Sequence, residues 1–102
     1  PTRQELFWES PRTIRYGAGE NLYGYAAIET FRRERPAVGL ARDVMRREIQ
    51  AFGTDTGMVH VEFRRQTPAG ERFGRQTQLW RRFPFGWRIV SAHVSLLPLP
   101  SG

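Results

Sequence analysis

Arg15 stands between Ile14 and Tyr16 in a short alternating run that breaks at Gly17-Ala18-Gly19. Strand neighbours point to opposite faces, so an arginine in such a run sits on one face of a sheet just before a tight turn. A guanidinium taken out of water needs an anionic partner. Two partners fit: Glu20 or another internal carboxylate, or the carboxylate of a bound molecule held by the planar bidentate fork. Further along, Gln76 and Gln78 alternate with Thr77 and Leu79 ahead of Trp80. Buried amides are costly unless they bind a ligand or each other, so this pair reads either as part of a polar pocket or as an internal amide network. Tyr16 and Tyr23 carry hydroxyls that could donate to a ligand, although a tyrosine in such a run is commonly a core residue. His93, with Ser95 two residues on, has the side chain best suited to proton transfer near neutrality. Its alternative role is in a polar seam between two copies of the protein, together with Ser95 and His60.

Other chemistries find less support. The histidines His60 and His93 are isolated and the chain has no cysteine, so thiolate chemistry and disulfides are excluded and no metal site is expected. Gly17 and Gly19 form a turn signal rather than a nucleotide fingerprint, because no strand-to-helix phosphate loop with the remaining glycine follows. All sixteen basic residues are Arg, and the formal net charge is +6. GC-rich bacterial codon usage is one reading of the absence of Lys; the other is that each Arg offers a fork to carboxylate or phosphate. The basic residues are spread as pairs (Arg32-Arg33, Arg46-Arg47, Arg64-Arg65, Arg81-Arg82) rather than gathered into one patch, which argues against nucleic acid as a partner.

The elements that must position these residues follow from periodicity. At 102 residues with 39% apolar content, the chain makes one small globular domain. A short strand around Ile14 to Tyr16 comes first. Tyr25, Ile28 and Phe31, with Ala27, then share one helical stripe, from which Glu29, Arg32 and Arg33 fall away. Pro36 ends that helix. After Pro36-Ala37-Val38-Gly39 the period becomes two, giving four strands at about 41–52, 57–65, 72–83 and 87–97, with Pro98 and Pro100 closing the sheet. Short connections between them imply an antiparallel meander, and a helix beside it implies α+β. In the last strand Val90, Ala92, Val94 and Leu96 make the apolar, helix-facing row, while Ile89, Ser91, His93, Ser95 and Leu97 face the other way. Val59, Val61 and Phe63 face inward by the same parity, opposite His60, Glu62 and Arg64. No run approaches the length needed to span a bilayer and no signal peptide opens the chain, so a cytoplasmic location and no membrane partner are expected.

Leu6-Phe7-Trp8, the segment from Arg15 to Gly24, Gly74-Arg75-Gln76 and the strand from Gly86 to Ser95 together resemble the AtzH-like and HpxZ-like proteins, over nearly the whole chain. These are small members of the nuclear-transport-factor-like (SnoaL-like) cone-fold superfamily, linked to catabolism of oxalurate and of cyanuric acid products. Thr77, Leu79 and Ser91 depart conservatively from the usual residues. The resemblance implies a cone-shaped, curved antiparallel sheet of about four to five strands packed on helices, in a single domain over 1–102. It also implies a first helix ahead of Glu5 that is missing from these residues, leaving the domain N-terminally incomplete relative to the family. It puts Arg15 at the family's arginine, and Gln76, Gln78 and Trp80 in the pocket, since the position two before the Trp points inward. The implied function is decarboxylation or binding of a small carboxylated urea-like anion. Arg15 fixes a carboxylate, Gln76 and Gln78 hold the urea-like core, and Tyr23 or a tyrosine of the missing helix gives the proton. Such chemistry requires no cofactor. A homodimer through the outer sheet face is expected, as is an accessory role beside an amidase if the protein is not itself catalytic.

Overall fold

The alternating runs of the second half fold as expected into long strands. The computed structural model describes residues 6–34, 42–68 and 70–98. Its elements run β1 (Ile14–Tyr16), β2 (Asn21–Tyr23), α1 (Tyr25–Glu34), β3 (Arg42–Phe52), β4 (Thr56–Thr67), β5 (Gly70–Phe83) and β6 (Gly86–Pro98). One sheet holds all six strands in the order β2-β1-β6-β5-β4-β3. The four long strands form the antiparallel meander read from the sequence, while β1 adds to β6 in parallel, with Arg15 beside Ala92. The architecture is α+β, with six strands rather than the expected four to five. The extra one is β2, whose three residues Asn21, Leu22 and Tyr23 are too few to show a period and are held by pairing with β1. The helix stop at Pro36, the turn at 36–39 and the closing Pro100 lie outside the described residues.

Two irregularities in the ladder bend the sheet. Between Val44 and Arg46, and again where Leu79 faces Ser91 but Trp80 faces Ile89, one strand carries an extra residue. Such bulges increase local twist and re-aim the side chains beyond them. The second bulge corrects the parity of β6. Val90 is the additional residue, so Ile89 returns to the inner face and is buried with Phe7, Ile28 and Ala92 instead of pointing outward with Ser91 and His93.

Helix α1 forms where the apolar stripe demands it and lies over the β1–β2 end of the sheet. Ile28 is fully buried, and Tyr25, Leu22 and Trp80 pack around its cluster. Burial of a side chain of this kind contributes about 1.5–3 kcal/mol. The segment before β1 is tied to the same corner. Phe7 bridges to Ile89, the Trp8 amide donates to the Ile89 carbonyl at 2.9 Å, and the buried Thr13 hydroxyl donates to the Trp8 carbonyl at 2.7 Å. The second apolar cluster, Val61, Phe63 and Val94 with Val59 and Leu96, covers the middle of the same inner face. No helix among the described residues is long and apolar enough to cross a membrane.

Candidate functional site

The register fixes which chemistry-bearing residues share a face. Arg15 pairs with Ala92, Ala92 with Gln78, and Gln78 with Val59, so Arg15 and Gln78 stand on one inner-face rung with the small Ala92 between them. Gln76 occupies the next inner rung, between Val94 and Val61. Arg65 lies two residues beyond Phe63 on β4 and follows the same parity.

Beside these rungs the turn between β1 and β2, the end of β4 and the last part of β6 enclose a cavity of about 210 Å³, lined by Arg15, Glu20, Arg65, Thr67, Val94 and Leu96 among others. The volume suits a ligand smaller than the occupants of ordinary drug-sized sites. Arg15 is largely enclosed, with a side chain only 15% exposed. Arg15 Nη1 donates to Glu20 Oε2 at 3.1 Å, and the guanidinium lies 5.8 Å from the centre of the Phe31 ring of α1. Of the two partners read for Arg15, the internal carboxylate is thus present. One bond to one Nη leaves a guanidinium further donors for a second anion.

Local sequence explains the pair. The Gly17 amide donates to the Glu20 carbonyl at 2.8 Å, closing the turn that returns Glu20 toward Arg15. Gly17 is not among the positive-φ glycines, so the turn does not itself require it. A Cβ there would overlap the Glu20 carboxylate, and the bare backbone is what lets that carboxylate lie against Arg15.

The amides divide. Gln78 is buried and accepts a hydrogen bond from Trp80 Nε1 at 3.0 Å, so its carbonyl is satisfied within β5 and its NH₂ is the end that remains a donor. Trp80 packs into the Phe7–Ile28 cluster and serves there as core. Gln76, Gln78 and Trp80 share the inner face with Arg15 without lining the enclosed cavity itself.

Tyr23 requires correction. Its pairing with Ile14 puts it on the opposite face from Arg15, where it is 62% exposed and meets Tyr16 edge-on at 6.5 Å. It does not reach the cavity, because β2 gives it the parity of Ile14 rather than of Arg15. His93 is on that outer face too, exposed and edge-on to Tyr16 at 5.6 Å. His60 completes a polar row there, with Nδ1 3.1 Å from Thr77 Oγ1 and Nε2 3.0 Å from Gln50 Oε1. Arg75 Nε donates to Ser95 Oγ at 3.1 Å on the same side. Sequence reasoning missed Arg65 and Thr67 as cavity residues. Extending the inward row of Val59, Val61 and Phe63 by one step would have found Arg65.

A curved sheet wrapped on one side around a helix and a small cavity defines the NTF2-like, cystatin-like class. An NTF2-like protein of Shewanella oneidensis shares the fold at 16% identity, with TM-score 0.69 over 90% of this chain and 78% of its own. The chain belongs to the AtzH-like family, which it matches over residues 1–99. A protein of unknown function from Pectobacterium atrosepticum is 47% identical, with TM-score 0.85 over 93% of this chain and 73% of its own. A cystatin-like fold protein from Burkholderia xenovorans is 41% identical, with TM-score 0.83 over 95% and 75%. Among curated proteins none matches the chain.

Proposed function

We propose that this protein binds a small carboxylated urea-like anion at Arg15 and releases carbon dioxide from it, within the breakdown of nitrogen compounds such as oxalurate or cyanuric acid products. The observation that carries the reading is Arg15 itself, a largely enclosed guanidinium on the wall of a cavity of about 210 Å³. Val94 and Leu96 supply apolar wall beside it. An N-carboxylate held there loses carbon dioxide when its C–N bond breaks and the electron pair stays on nitrogen, which takes a proton. The apolar wall favours the neutral product over the charged reactant. Gln78, with its carbonyl engaged by Trp80, would donate its NH₂ toward the amide-like remainder of the ligand. The direct experiment supplies the purified protein with N-carboxyurea and follows carbon dioxide release above the spontaneous rate. Acceleration is expected; its absence, with amidase co-purification, would replace catalysis by an accessory role beside an amidase.

The outer face supports a homodimer. Ile14, Met58 and Leu79 lie there among His60, Thr77, His93 and Ser95, and a sheet face of this extent is seldom left in water. Leu79→Asp would bury an unpaired charge in such a seam and shift the protein to monomers in sedimentation velocity. A dimer that persists would put the seam elsewhere.

A further inference from the structure

Loss of carbon dioxide from an N-carboxylate leaves an electron pair on nitrogen that must take a proton, and Tyr23, the donor expected from the sequence, lies on the opposite face of the sheet. Tyr16, His60 and His93 share that outer face, and Tyr25 of α1 packs against the Phe7–Ile28 cluster. None of the three tyrosines and two histidines of the chain is among the described residues that line the cavity. Of those that do, Thr67 has its hydroxyl proton on the Gly70 carbonyl at 2.7 Å, and guanidinium groups such as those of Arg15 and Arg65 do not give up a proton in proteins. Glu20 is the acid–base group that remains. Resting on the reading of this cavity as a decarboxylation site, we propose that Glu20 is its general acid, taking up a proton when the substrate carboxylate binds beside it and delivering that proton to the substrate nitrogen.

The contact with Arg15 explains how a carboxylate can serve as an acid. Glu20 Oε2 accepts from Arg15 Nη1 at 3.1 Å, so the carboxylate stands directly beside the guanidinium on which the substrate must sit. Seating a second carboxylate on the other donors of that guanidinium puts two like charges side by side in a partly desolvated space. Such a pair is relieved when one member takes a proton. The Glu20 side chain is 27% exposed, so water can bring that proton to it. Arg15 on β1 and Arg65 on β4 are the other charged residues that line the cavity, and neither can accept the proton in its place. The C–N bond of the substrate then breaks with its electron pair kept on nitrogen, nitrogen takes the proton from the Glu20 carboxyl group, and carbon dioxide departs as a neutral molecule. Glu20, a carboxylate once more, closes again on Arg15.

Titration calorimetry with oxamate, a carboxylate bearing an amide, and turnover of N-carboxyurea test binding and chemistry separately. Oxamate binding to wild type should take up protons, read as a binding enthalpy that changes with the ionisation enthalpy of the buffer. Glu20→Gln, checked for wild-type melting, should bind oxamate at least as tightly and lose that buffer dependence. Its kcat for carbon dioxide release should fall about a hundredfold, the lower end of what a general acid contributes, with KM no higher. Glu20→Asp, which keeps the acid on a shorter stem, should recover part of the lost kcat. Oxamate binding to wild type without proton uptake, or a Glu20→Gln kcat within about threefold of wild type, would overturn the role of Glu20 and leave the carboxylate site standing. If oxamate does not bind wild type, or wild type does not accelerate release from N-carboxyurea, the site or the reaction itself is wrong and the role of Glu20 falls with it.

Discussion

Arg15→Lys should lower kcat/KM for carbon dioxide release about a hundredfold or more, roughly 2.7 kcal/mol of lost transition-state stabilisation at 1.36 kcal/mol per tenfold. The lysine keeps the charge and loses the geometry. An ammonium is a compact, strongly hydrated point charge, whereas the guanidinium can bond Glu20 through one Nη and still present further donors to a ligand in a plane. The Glu20 bond at 3.1 Å and the neighbouring Phe31 ring constrain where that plane lies. A lysine paired with Glu20 would leave the ligand carboxylate without its fork, so both KM and kcat should suffer. The side chain is only 15% exposed, so fold must be checked beside activity. A variant with wild-type melting and wild-type turnover would remove Arg15 from the chemistry.

Phe63→Ala should be the most damaging single change to stability. Phe63 is 1% exposed and joins Val61 and Val94 in the cluster under the inner face. Its cross-strand partner is Gly74, and the ring lies directly on that glycine: a Cβ at position 74 would overlap three atoms of the ring. With no side chain at 74 to move into the vacated space, the site collapses poorly after truncation. Phe→Ala changes in cores cost about 3–5 kcal/mol, and the upper part of that range is expected. Domains have only about 5–15 kcal/mol in total. At roughly 4–8 °C per kcal/mol for a chain of this size, the melting temperature should fall by about 16–40 °C. Phe63→Leu, which refills most of the volume, should recover much of the loss. A fall of less than about 5 °C for Phe63→Ala would show that the cluster is not central to the fold.

The long strands were legible because period two persists through β3 to β6, and the helix because Tyr25, Ile28 and Phe31 repeat at helical spacing. Face assignments held where the ladder is regular. Val59, Val61 and Phe63 share a face by period two and in the sheet, where Gln76 and Gln78, whose mixed strand left their face to the family resemblance, pair beside Val61 and Val59. They failed at Ile89, where one extra residue at the bulge reverses the parity of everything on its far side, and no residue type in Arg88-Ile89-Val90 announces it. Tyr23 was misplaced for a different reason. A three-residue strand has no period of its own, and its face is inherited from pairing with β1. The cavity was half visible: Arg15 and Glu20 are five residues apart in one turn, but Arg65 and Thr67 arrive from β4, and only the curvature of the sheet brings that strand end toward the β1–β2 turn.

The most direct measurement is a crystal structure of the protein soaked with oxamate. The expected result is a carboxylate seated on the Arg15 fork inside the cavity, with the amide directed toward Gln76 and Gln78. Ligand density on the outer face beside His60 and His93, with Arg15 still bound to Glu20 alone, would contradict it.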